Sequence, residues 1–197
     1  MRWIASILTA LLVSPTIAQE VSGAYMGATV GNVTYTQRAD GLISQSDFDG
    51  SASTVRLYGG YRLGSRLALE LGYAETDEID DRVDMDLGGL VPVDVSSDFS
   101  VTTARALVHF PIGAERLPFV SLSVFVGAGV YDADLKSAGS VAGVATVAAT
   151  SSEDGSTALL GVQVDFPKVS VRGEYEWFDT RSSIDLWTAG VGLIFRF

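Results

Sequence analysis

Along most of the chain apolar residues alternate with polar or small ones, and a period of two belongs to β-strands, not to the 3.6 of a helix. The last segment is the clearest. Trp187, Ala189, Val191, Leu193, Phe195 and Phe197 share one parity, and Leu186, Thr188, Gly190, Gly192, Ile194 and Arg196 the other. Just before it, Val169, Val171, Gly173, Tyr175 and Trp177 oppose Ser170, Arg172, Glu174 and Glu176. The same reading predicts eight strands, at 23–36, 53–63, 66–76, 99–110, 118–131, 155–166, 168–178 and 186–197. Glycines and tyrosines blur the parity of the first. Each is long enough for the roughly 9–11 residues that a tilted strand needs to cross a bilayer.

The predicted connections alternate in length. Short turns at Gly64-Ser65, Pro111–Leu117 and Pro167 join strands 2–3, 4–5 and 6–7, whereas longer loops join 1–2, 3–4 and 5–6. Prolines 111, 118 and 167 fall at the short-turn rim, where they cost few ladder hydrogen bonds. An even number of strands, with short turns at one rim and long loops at the other, is the layout of a membrane barrel with both termini periplasmic.

Alternation alone does not say which face is inside, because a soluble barrel buries its apolar face and a membrane barrel exposes it. Three features choose the second. Aromatic residues of the apolar face gather near strand ends: Tyr61, Phe110, Phe166, Phe195 and Phe197 by the short turns, and Tyr73, Tyr175, Trp177 and Trp187 at the other end. Two such girdles are what two membrane interfaces select. The middle of that face carries no charge in the clear strands, and the chain closes on Phe197. The opposite face, pointing into the lumen, carries Arg56, Arg62, Glu70, Arg105, Gln163, Asp165, Arg172, Glu174 and Glu176. An eight-stranded lumen is just wide enough for side chains to fill it, so Arg56, Glu70, Arg105, Arg172, Glu174 and Glu176 are expected to form a structural ion-pair network. A narrow ion path is the alternative.

The first residues stand apart. Arg2, an apolar run from Trp3 to Val13 and the small residues Thr16 and Ala18 make a secretory signal pattern, with cleavage expected after Ala18. That leaves residues 19–197 as a single barrel domain. Removing Arg2 leaves 12 basic residues against 24 acidic, so a basic nucleic-acid footprint is absent. Cysteine is absent, and stability must come from a core or a membrane instead of disulfides. After the signal no apolar run is long enough for a membrane helix; the longest, Phe119–Val130, is broken by serines and glycines.

The amphipathic end Val191-Gly192-Leu193-Ile194-Phe195-Arg196-Phe197, closing on an aromatic residue, resembles the C-terminal assembly signal of bacterial outer-membrane proteins. With its strand count and loop asymmetry, the chain is similar to the eight-stranded OmpA/OmpX-type outer-membrane β-barrels. The resemblance implies an outer-membrane location in a Gram-negative-type bacterium and surroundings of outer-membrane lipid and lipopolysaccharide. It also implies Phe195 and Phe197 as contacts for the assembly machinery, and a monomer; the peptidoglycan-binding domain of full-length OmpA-like proteins is not expected after Phe197. It points to a non-enzymatic role, structural or surface-binding, carried by the extracellular loops. A lipid A-modifying enzyme and a narrow channel are the rival functions.

Candidate chemistry changes this little. The segment from Glu75 to Asp98 holds nine carboxylates against Arg82 alone. Divalent-cation binding is one reading, but no EF-hand spacing is present, and a solvated acidic loop is the other. His109 is the only histidine, and no serine two residues along or orienting carboxylate accompanies it in sequence, so no catalytic residue is assigned. Residues 137–152, rich in Ala, Val, Gly, Ser and Thr, fit either a mobile loop or a hairpin that extends its two strands. No cofactor motif or metal-ligand cluster is found.

Overall fold

A computed structural model describes residues 22–37, 48–86, 90–112, 120–141, 145–180 and 184–197. The expected signal segment and its cleavage point lie outside them. The elements are β1 (Gly23–Gln37), β2 (Phe48–Leu63), β3 (Leu67–Thr76), β4 (Ile79–Asp86), β5 (Leu90–Ile112), β6 (Ser121–Val141), β7 (Ala145–Asp165), β8 (Val169–Asp179) and β9 (Ile184–Arg196). All pairings are antiparallel. β1 pairs with both β2 and β9, so the sheet closes on itself.

The nine segments make eight staves. β3 and β4 both lie along β5, but Glu75 faces Ser100 whereas Ile79 faces Ser97. Four steps on one strand match three on the other, which is a bulge. The Asp77 amide, inside that bulge, donates to the Ser53 carbonyl of β2 at 2.9 Å. The result is a closed eight-stranded antiparallel barrel.

Parity sorts the faces as the alternation predicts. Leu71 is 68% exposed and Val30 63%, whereas Arg172 is 1% and Glu176 0% exposed. The outward face is therefore a continuous apolar belt, which water does not tolerate over such an area and hydrocarbon does. In β1 the blurred parity resolves: Tyr25, Thr29 and Val33 point inward, Met26 and Val30 outward.

The lumen is layered. Toward the short turns, Tyr25, Tyr58, Leu107, Phe125, Leu159 and Ile194 pack together. Toward the opposite rim, Val33, Val101, Tyr131, Phe178 and Leu186 form a second apolar cluster. Inward aromatic rings need room in so narrow a bore, and glycine supplies it. Tyr58 lies directly across from Gly27, and Phe125 across from Gly161. A Cβ at either glycine would run into the facing ring.

One long connection differs from the loop expected from sequence, and another takes one of its two expected forms. Residues 79–86 and 90–97 pair as a hairpin, so the acidic segment is mostly strand. Residues 137–141 and 145–149 also pair, which makes the 137–152 segment a hairpin that extends its two strands. β6 begins at Ser121, later than the expected 118. The acidic strands 79–86 and 90–97 lack the strict alternation of the belt, and that is why the sequence reads them as a loop. At the short-turn rim Gly64 takes φ 68°, a left-handed conformation suited to glycine in so tight a turn.

Candidate functional site

The inward parity of β2, β3, β5 and β8 brings Arg56, Glu70, Arg105, Arg172, Glu174 and Glu176 into one layer across the middle of the lumen. Register supplies the first contacts. Glu70 and Arg105 are direct cross-strand partners, and Arg105 Nη2 donates to Glu70 Oε2 at 2.9 Å. Arg172 faces Gln163 and donates to its Oε1 from Nε and Nη2, both at 3.1 Å.

Side-chain reach then joins opposite walls. Arg172 Nη1 donates to Glu70 Oε1 at 2.6 Å. Arg56 Nη1 meets Glu174 Oε1 at 3.1 Å and Glu176 Oε2 at 2.5 Å. Arg105 Nη1 adds a bond to Glu176 Oε2 at 3.1 Å. Three arginines thus face three glutamates, and charge is balanced within the layer. Neutral donors complete it: Tyr25 Oη donates to Glu70 at 2.7 Å and Thr157 Oγ1 to Glu176 at 2.8 Å.

The layer is tied to the apolar packing beside it. The Arg172 guanidinium stands 4.9 Å from the Phe125 ring centre and 5.2 Å from that of Tyr58, within cation–π range. Burying charges is costly, and paired geometry with further hydrogen bonds is what offsets that cost. Two cavities, of about 40 and about 20 Å³, flank the layer and share no lining residue.

A second polar group sits at the short-turn rim. Asp165 accepts from Gln163 at 2.6 Å, from Ser170 at 2.7 Å and from Arg196, and Arg62 approaches at 3.5 Å. Sequence reasoning names Arg62 and Asp165 but misses Ser170 and Arg196 as their partners, since register alone brings them together.

His109 departs from expectation. The sequence places no serine within its reach, yet Ser123 Oγ lies 3.4 Å from His109 Nδ1, with both residues buried. The two belong to β5 and β6, on neighbouring staves but not directly paired, a relation invisible to sequence spacing. The distance exceeds the 2.6–3.2 Å expected of a nucleophile and its base. The oxygens of Asp165 are taken up by Gln163, Ser170, Arg196 and Ser121, so this carboxylate does not orient the ring.

The acidic segment is placed only in part. Asp80, Asp81, Asp84 and Asp86 lie on β4. Their side chains are outside the described residues. Among the described residues no group of three His, Asp or Glu side chains could hold a metal ion. On the outer face, Tyr175 stacks on Trp187 with ring centres 5.1 Å apart and meets Trp177 edge-on at 4.3 Å. Phe195 points outward from β9, and the Phe197 amide bonds to the Ala24 carbonyl at 3.2 Å beside the seam.

Comparison with known proteins agrees with this architecture. No curated protein matches the chain in sequence. Solved structures do match in shape. Neisserial surface protein A aligns at 15% identity with a TM-score of 0.57, covering 89% of this chain and 98% of its own. Ail, the attachment invasion locus protein of Yersinia pestis, solved with the heparin analogue sucrose octasulfate, aligns at 15% identity and TM-score 0.52, over 89% of this chain and 99% of its own. OprG, an outer membrane protein of Pseudomonas aeruginosa, aligns at 13% identity and TM-score 0.54, over 89% and 96%. At such identities the likeness is one of fold. The family model described as the outer membrane protein beta-barrel domain matches residues 4–197. The chain belongs to the outer membrane protein beta-barrel domain family.

Proposed function

We propose that the protein is a non-enzymatic surface-binding barrel, in which the membrane-spanning staves anchor a projecting sheet that meets partners outside the cell. The carrying observation is strand length. β5, β6 and β7 run 23, 21 and 21 residues, about twice what a bilayer crossing needs. With β4 they continue as a four-stranded sheet past the barrel wall. β8 ends at Asp179, opposite Ser156, so residues 145–152 of β7 pair with β6 alone among the described strands. A strand edge with open amides and carbonyls is suited to take up an extended segment of another protein.

In this reading the mature chain begins at Gln19, both termini are periplasmic, and Phe195 and Phe197 serve assembly. The ionic layer is a structural plug that leaves the bore no function of its own. The barrel stands as a monomer among outer-membrane lipid and lipopolysaccharide. The name of Ail, attachment invasion locus protein, is consistent with such a role for a barrel of this shape.

The test shortens the β6–β7 hairpin by replacing residues 137–149 with a tight turn. Cells carrying this variant should retain a folded barrel, seen as heat-modifiable migration on gels, and lose adhesion to immobilised serum and extracellular-matrix proteins. Adhesion unchanged from wild type would reject the projecting sheet as the binding element.

A further inference from the structure

Gly59 differs from the inward glycines of the barrel. It occupies an outward, exposed position of β2, and a Cβ built there would meet no atom closer than 3.9 Å. At Gly27, Gly60 and Gly161 a Cβ would run into a facing aromatic ring. Packing inside the barrel accounts for those three and leaves Gly59 without a steric reason. A glycine within a strand weakens it, and close approach of a ligand is one of the conditions that keep it there.

The missing side chain leaves a notch in the apolar belt. Ala28 on β1 and Gly59 form its floor, and Met26, Leu57, Leu71 and Phe195 its walls, around an open space of about 660 Å³. Among the described residues no charged side chain lines it. A loop of this chain could not lie there, because its backbone groups would find no partners against hydrocarbon. The wall of a second barrel is convex and too broad to enter a notch one side chain deep, whereas an acyl chain is narrow enough to fill it. The same staves offer a partner for a headgroup. Arg66 is exposed in the turn that joins β2 to β3, and Leu71, directly across from Gly59, is five residues further along the chain. At roughly 3.3 Å per residue this is about 16 Å along the strand, or about 12–13 Å of depth at a tilt of roughly 35–45°. One leaflet supplies about 15 Å, half of a hydrocarbon core of about 30 Å. A lipid with its phosphate at Arg66 therefore has the reach to lay a chain in the notch.

We propose that this notch is a site for one phospholipid of the leaflet on the short-turn side, with an acyl chain laid over Gly59 and Ala28 and its phosphate against Arg66. The site lies in the membrane wall, is separate from the projecting sheet and does not depend on any surface role.

The test extracts the mature barrel from its own membrane in mild detergent and weighs it by native mass spectrometry. Wild type should carry one phospholipid that survives collisional activation. Gly59→Leu, whose side chain the backbone has room for, should carry none under the same conditions. Ala158→Leu, at an exposed outward position of β7 across the barrel, should keep the lipid. Arg66→Gln should keep it in a smaller fraction of molecules. Equal retention in wild type and Gly59→Leu, loss in Gly59→Leu and Ala158→Leu alike, unchanged retention in Arg66→Gln, or lipid A retained in place of phospholipid would each overturn the proposal. So would a dimer that Gly59→Leu dissociates. Should Gly59→Leu fail to fold, crystals of wild type grown with a brominated-chain phospholipid decide: an anomalous peak beside Gly59 is expected, and a map empty there would overturn the site.

Discussion

Arg172 on β8 reaches across the lumen to Glu70 on β3, and the 2.6 Å bond between them joins residues 102 positions apart in the chain. This contact and its neighbours couple opposite walls of the barrel. Removing one member of a buried pair leaves the other charged and unpaired, at about 3–5 kcal/mol. Arg172→Ala should therefore lower the urea midpoint of the detergent-folded barrel far more than Arg66→Ala at an exposed position. Equal midpoints for the two variants would show that the central layer contributes nothing to stability.

The apolar belt sets a second expectation. Leu122 faces outward and Ser123 inward on adjacent positions of β6. Val126→Arg, at an outward position further into β6, should destabilise the inserted barrel by about 2–4 kcal/mol. Spin labels at Leu122 and Leu193 should be relaxed by lipid-soluble oxygen and shielded from a water-soluble paramagnet. Labels at Ser123 and Ile194 should lack that signature. A reversed pattern would place the apolar set in a core and remove the membrane reading.

Much of this architecture is legible in the amino-acid sequence. The parity of Leu122 and Ser123, of Leu193 and Ile194, and of the six central charges follows from alternation, because lipid on one side and a narrow bore on the other sort side chains strictly. Three things are not legible there. Phe125, Leu107 and Leu159 are apolar residues on the inward face, and alternation has no means of giving them a reason. The pairing of 79–86 with 90–97 lies beyond the belt, where nothing selects alternation, and for 137–152 the sequence leaves loop and hairpin open. The approach of His109 to Ser123 is a matter of strand register, which no single strand encodes.

The glycine–aromatic pairs can be tested by overpacking. At Gly27 a new side chain would enter the space of the Tyr58 ring. Gly27→Val should cost about 1–3 kcal/mol, the usual range for forcing extra carbons into a packed interior. Tyr58→Ala in the same chain should recover part of that cost, measured as a coupling energy in a double-mutant cycle. Strictly additive effects would mean that the ring does not occupy that space.

Export predicts a defined start. Mass spectrometry of the protein from the membrane fraction should find Gln19 as the first residue, consistent with the small residues at Thr16 and Ala18. A chain in that fraction still beginning at Met1 would contradict processing by a signal peptidase.

The balanced ring of charge also acts as a checksum on strand register. A slip of one residue between neighbouring strands would turn every side chain to the wrong face and be rejected by lipid. A slip of two residues would pass that filter, since apolar positions would still face outward. It would, however, move each charge along its wall by about 6–7 Å, at roughly 3.3 Å per residue. Glu174 and Arg56, 118 positions apart, and Glu70 and Arg172 could then no longer meet. Errors that the membrane cannot detect are thus penalised from inside, and only the barrel closed in its correct register leaves no charge in the central layer without its counterpart.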